Sequence, residues 1–167
     1  VINNVVLINA KIPSPSMEKT IMTGDRIFGF RLAYGINLDL FGHEISKKVK
    51  DPERFDIVIF KYPDDESQLF IKRVIGLPGE TIQISGGRIL IDGEAYKEGK
   101  DFPMISNPGL ASSSITLESG EYFVLGDNRN NSEDSRYADI GMVKKRYIAG
   151  KIWFTCAPFE KLGFTKG

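Results

Sequence analysis

Residues 81–93 read TIQISGGRILIDG, and this stretch decides the fold class. TIQIS at 81–85 alternates apolar and polar residues, and RILID at 88–92 is a short apolar run between charged ends; both are rich in isoleucine, as strands are. Gly86-Gly87 separates them by two residues, the length and chemistry of a tight hairpin turn, and Asp92-Gly93 marks a second turn. Working outward, DIVIF at 56–60, EYFVLG at 121–126 and KIWFT at 151–155 are short runs rich in Val, Ile, Phe and Tyr with the same period of two. Helical periodicity is weak, with short helices expected only around 17–23 and near 133–140. The expected fold is all-β, an antiparallel core built from 1–80 and 121–167. A smaller lobe of strands and loops is inserted at 81–120, where residues 94–120 are rich in Gly, Pro and Ser.

Composition narrows the function classes. The 167 residues carry 22 basic and 22 acidic side chains, and 41% of them are hydrophobic. This is an ordinary foldable composition. With zero net charge and no sustained basic run, no nucleic-acid partner is expected, because neutralising phosphates needs a basic face. KKR at 144–146 reads as a solvated turn. The single cysteine, Cys156, excludes an intrachain disulfide, and with the single histidine, His43, it excludes a Cys/His zinc site. No metal or cofactor is expected, and Cys156, inside IWFTCAPF, reads as a buried inert thiol. No run approaches the roughly 20 apolar residues of a membrane span. The apolar start VINNVVLINA lacks Met and reads as a first strand, as the stub of a longer chain, or as both.

Polar chemistry gathers at SPSM (14–17), FIKRVIGLPGE (70–80) and GDNRNNSEDSR (126–136). Lys72 stands among Phe70, Ile71, Val74 and Ile75, and strand alternation alone leaves open whether it faces solvent or the interior. Facing inward, it would lose proton affinity and could act as a neutral base toward a serine. His43 lies in FGHEISKK with no nucleophile near it, which leaves a Ser-Lys pair as the remaining common way to activate a hydroxyl. Asp64-Asp65 falls in PDDES, a turn between two strands.

Taken in order, these stretches resemble bacterial type I signal peptidases. IPSPSMEKT (12–20) is similar to that family's nucleophile box and TGDRIF (23–28) to the next. DIVIFKYP (56–63) with KRVIGLPGE (72–80) resembles its lysine-bearing strand pair, and GDNRNNSEDSRYADIG (126–141) resembles its last and most distinctive box. The resemblance implies Ser16 as nucleophile and Lys72 as general base. Ser132 would hydrogen-bond the lysine amine, and Ser14 would join the Ser16 N–H in an oxyanion hole. Asp127, Asn128 and Arg129 would support a tight turn, and Asp134 and Arg136 a buried ion pair. It also implies two shallow pockets for the Ala-x-Ala ends of signal peptides, lined by Ala10, Ile12, Pro13, Met17, Ile59, Phe70 and Ile71. The peptide would pair with edges at 10–13 and 69–72.

The family's partners would be secreted preproteins and the outer face of the cytoplasmic membrane, with this chain lacking the membrane anchor. INLDLF at 36–41 fits lipid contact and a buried strand equally. Two positions depart from the family pattern: Pro15 stands where glycine is usual and Lys19 where proline is. Self-cleaving repressors share Ser-Lys chemistry but would bring a DNA-binding helical domain and a scissile linker, neither seen here. A silent β-domain that only binds exported peptides would not need Ser16, Lys72 and Ser132 intact.

Overall fold

The structure is a computed structural model that describes residues 7–11, 14–24, 26–30, 36–40, 43–47, 50–156 and 162–164, with side chains at 14–24 and 50–152. Fourteen strands lie among the described residues. They are β1 (Leu7–Lys11), β2 (Arg26–Phe30), β3 (Ile36–Leu40), β4 (His43–Lys47), β5 (Ile57–Tyr62), β6 (Asp65–Gly76), β7 (Thr81–Ser85), β8 (Arg88–Ile91), β9 (Glu94–Ala95), β10 (Ile115–Thr116), β11 (Glu121–Leu125), β12 (Val143–Lys144), β13 (Ile148–Cys156) and β14 (Leu162–Phe164). The main sheet runs β1-β2-β13-β5-β6-β11-β12, with β14 added beside β13. A second sheet runs β10-β7-β8-β9, and β3 and β4 form a hairpin of their own. Every pairing is antiparallel.

The hairpin read from residues 81–93 is present. Gly86 and Gly87 take φ of 57° and 75°, and Asp92 and Gly93 take 52° and 84°. Two residues at positive φ give the turn whose twist matches its flanking strands. Asp92 manages this without being glycine because aspartate tolerates the left-handed region better than most residues.

The centre of the main sheet is covered on both faces, which is why Ile57, Val58, Ile59 and Phe60 of β5 form an uninterrupted buried run. Ile57 and Ile59 pack with Met17, Ile21 and Ile152. Val58 and Phe60 pack with Val74, Tyr122, Val124, Ile140 and Val143. A third cluster joins the two sheets, with Ile75, Phe123 and Leu125 meeting Ile82, Ile84, Ile89 and Leu117. Each such side chain contributes roughly 1.5–3 kcal/mol of transfer free energy, and this holds the turn at 14–17 against β5 through Met17 and Ile21.

The helix expectations fail in detail. Instead of a helix at 17–23, a 3-10 turn at Pro15–Met17 precedes a loop. Residues 133–140 form successive turns and no helix. Their backbone bonds are already committed, since Ser135 N–H donates to Val124 O at 3.1 Å and Tyr137 N–H to Asp134 O at 2.9 Å. Of INLDLF, Ile36–Leu40 is strand β3, and its side chains and Phe41 lie outside the described residues. Among the described residues no helix is long and apolar enough to cross a membrane.

Candidate active site

The turn at 14–17 shows what its two prolines and two serines do. Ser14 is extended (φ −130°, ψ 153°), as a residue before proline should be, and Pro15 occupies the first helical position, where a missing N–H costs nothing. Ser16 follows, so its amide lies in the first turn, where intrahelical acceptors are absent. Pro15 therefore suits this backbone although the family pattern has glycine there. Lys19 takes φ of 86°, which proline cannot adopt, so its departure from that pattern follows from the turn's own geometry. Asn128 ties this turn to the loop after β11. Its N–H donates to Ser16 O at 3.0 Å, and its Nδ2 donates to Pro15 O at 3.2 Å.

Lys72 comes from the middle of β6, opposite Val58 of β5, and keeps only 3% of its surface exposed. Its Nζ lies 3.0 Å from Ser16 Oγ and 3.0 Å from Ile71 O. Among the described residues no carboxylate pairs with it. Burial therefore pulls the ammonium from its ordinary 10.5 down to about 8, against the opposing attraction of Asp134 and Glu133. A lysine in this state gives up its proton near neutral pH and can then accept one from the serine hydroxyl. Ser14 Oγ stands 3.3 Å from Ser16 Oγ, a second hydroxyl beside the first.

Ser132 lines the same cavity, yet the expected bond to the Lys72 amine is not made. Its Oγ is buried and has no hydrogen-bond partner among the described residues, while the lysine directs its own bonds to Ser16 and Ile71. Ser132 is pressed against Gly126 instead. A Cβ on that glycine would stand 2.1 Å from Ser132 Oγ and 2.6 Å from Ser16 O, so no larger residue fits where the two serine-bearing loops meet.

The cavity measures about 620 Å³. Ser14, Ser16, Phe70, Lys72 and Ser132 all contribute to its wall. Met17 and Ile59 are expected on the substrate side, but they are 2% and 1% exposed and sit in the core beneath the site, with Ile71 packed partly against them. Ile12 and Pro13 lie outside the described residues, as does the side chain of Ala10. Residues 65–72 of β6 pair with β5 on one flank. On the other, β11 meets β6 only at Arg73, Val74 and Gly76, so no described strand covers that edge beside Lys72.

The supporting residues form a buried ionic frame. Asp134 and Arg136 pair at 2.8 Å, and Asp134 also accepts the Gly126 N–H at 3.0 Å. Arg136 braces the loop by donating to Arg129 O at 2.7 Å. Asp127 does more than support a turn. It accepts two bonds from Arg73, at 2.7 and 2.8 Å, and one from Thr20 of the nucleophile loop, so it joins β6 to that loop. Arg129 is paired with Glu98 and stacked 4.0 Å over the Phe102 ring, which anchors the same loop to the segment at 98–102. Arg73, Glu98 and Phe102 escape sequence reasoning. The one available signal is an arginine set beside a lysine in an otherwise apolar strand. Among the described residues no group of three metal-ligating side chains occurs.

Comparison with known proteins places these residues in a family. Residues 1–157 match the family described as "Signal peptidase, peptidase S26". The chain is 32% identical to a signal peptidase I of Pseudomonas fluorescens over 87% of its own length, and spans 64% of that relative. It is 35% identical to a signal peptidase I of Leptolyngbya laminosa, covering 91% of this chain and 70% of the relative. A crystal structure of a signal peptidase I from Enterococcus faecalis V583 is 34% identical, with a TM-score of 0.48, covering 62% of this chain and 98% of that one.

Proposed function

The chain belongs to the signal peptidase family, peptidase S26, and we propose that it is a serine endopeptidase that removes signal peptides from exported preproteins. The observation that carries this reading is the 3.0 Å approach of Lys72 Nζ to Ser16 Oγ within a buried environment that favours the neutral amine. In the proposed reaction, the preprotein lies extended along the uncovered edge of β6 and adds a strand to the sheet. Lys72 takes the proton of Ser16 as Oγ attacks the scissile carbonyl carbon. The carbonyl oxygen gains negative charge and is met by the Ser14 hydroxyl and the Ser16 amide. Collapse expels the amine, which takes the proton from Lys72 and leaves an acyl-enzyme. Water, deprotonated by the same lysine, then frees the acid.

Cleavage after small residues in an Ala-x-Ala pattern, and action at the outer face of the cytoplasmic membrane, belong to the same proposal. A preprotein bearing an Ala-x-Ala site should be cut by this chain and left intact by Ser16→Ala. Equal cleavage by the two proteins would remove Ser16 from the mechanism.

A further inference from the structure

The hydrogen bonds along β6 fix which way its backbone groups point. Val74 N–H donates to Asp56 O at 2.9 Å, and Phe55 N–H donates to Val74 O at 2.8 Å, so the backbone of Val74 faces the β5 side. Residues 73 to 69 continue this register, pairing one to one with 57 to 61 without a bulge between them. Backbone groups in an antiparallel ladder turn toward alternate neighbours. Lys72 and Phe70 therefore face β5 as Val74 does, whereas Arg73, Ile71 and Leu69 face the other flank. There β11 ends at Arg73, opposite Leu125, so Ile71 O points to the edge that no described strand covers. Lys72 Nζ donates to that carbonyl at 3.0 Å while lying 3.0 Å from Ser16 Oγ. A carbonyl on the substrate edge is thus held by the general base of the proposed reaction.

We propose that a bound substrate takes Ile71 O away from Lys72, so that the peptide itself releases the base. The inference rests on reading Ser16 and Lys72 as nucleophile and base, and the β6 edge as the seat of the peptide. A strand added to that edge offers its N–H groups to the carbonyls that face it, and Ile71 O is one of them. While Ile71 O accepts from the lysine it favours the ammonium, because a hydrogen bond to the charged form raises proton affinity. Once a substrate N–H occupies the carbonyl, the ammonium loses that support and gives its proton to water. Burial has already brought the free amine down to about 8, and the handover lowers it further. The charged groups that act on the amine are Glu133 and Asp134, from the loop after β11. Tyr62, Tyr137 and Asp139 also line the cavity, and the turn at 14–17 brings no charge to it.

The test uses peptides around one Ala-x-Ala cut. The N–H of each of the four residues before the scissile bond is replaced in turn by an ester oxygen. Each ester keeps the shape and charge of the peptide but cannot donate at its one position. For the all-amide peptide, kcat should rise with pH through a midpoint about one pH unit below that of kcat/KM. The first reports the complex and the second the free protein. A gap of about this size is what one hydrogen bond to a charged group supplies. At one ester position the gap should close, while the other esters keep it. Equal midpoints for the all-amide peptide would overturn the handover. So would a gap that survives at every position, since drying of the cavity by any bound peptide would then be its cause. If the all-amide peptide is not cut at all, the Ser16–Lys72 reading fails instead. Lys72 is then titrated through the NMR signal of its ε carbon in Ser16→Ala, with each peptide bound. A midpoint lowered by the all-amide peptide and restored by one of its esters supports the handover, and a midpoint moved equally by all of them overturns it.

Discussion

The two sides of β6 carry neighbouring cations with opposite fates. Lys72 stands opposite Val58 and Arg73 opposite Ile57, and both are withdrawn from water, at 3% and 0% exposed. Arg73 donates two parallel bonds to the Asp127 carboxylate and a third to Phe55 O at 2.8 Å. Lys72 meets a hydroxyl and a carbonyl, and the carboxylates that influence it, Asp134 and Glu133, do not pair with it. Burial alone therefore does not prepare a base. What distinguishes the two sides is the counter-charge, which is present where the sheet is braced and absent where the proposed reaction moves a proton. Guanidinium suits the bracing side because its planar fork matches a carboxylate and does not deprotonate, whereas an ammonium changes its proton affinity readily when desolvated.

Removing each cation's function should break this contrast in a different way. Lys72→Met should abolish preprotein cleavage, by about a thousandfold or more, since the serine loses its base, while the sheet still forms. Cleavage within tenfold of wild type would end the assignment of Lys72. Asp127→Ala should instead act on folding, because it leaves the Arg73 guanidinium buried and unpaired. A destabilisation of about 3–5 kcal/mol in urea unfolding is expected. A change below 1 kcal/mol would mean that water or another acceptor takes over the guanidinium.

The third expectation sharpens the comparison through pH. The native Lys72 releases its proton near about 8, while in the unfolded chain it holds it to about 10.5. Between those values the unfolded state binds the extra proton, so stability rises with pH across that window, by about 3 kcal/mol. Below 8 both states are protonated and this contribution is flat. Cleavage should climb through the same pH as the native amine becomes neutral. Lys72→Met should lose the rise in stability. A wild-type stability curve that stays flat from pH 8 to 10.5 would contradict the buried, unpaired amine.

Much of this is legible in the chain itself. A period of two is a local property, and Gly86-Gly87 and Asp92-Gly93 specify their turns through backbone freedom at those positions alone. The strands β5, β7, β8, β11 and β13 are therefore found from sequence to within a few residues. Short helices are not, because a single turn leaves too few residues for a period, and the backbone donors at 135 and 137 found partners outside any helix. Ser14, Ser16 and Lys72 are recognisable from their boxes. The place of Met17 and Ile59 in the core is not, since an apolar side chain looks the same under a pocket as within it.

Local chemistry, then, settles which segments are strands, where they turn and which residue types are available for catalysis. Which face of β6 receives a counter-charge is settled only in three dimensions. The residues that decide it lie 54 positions from Arg73 and 56 from Lys72, and alternation along a strand separates two faces without saying what covers either. Folding brings Asp127 to one cation and Ser16 to the other, and burial beside a neutral partner lowers the proton affinity of Lys72.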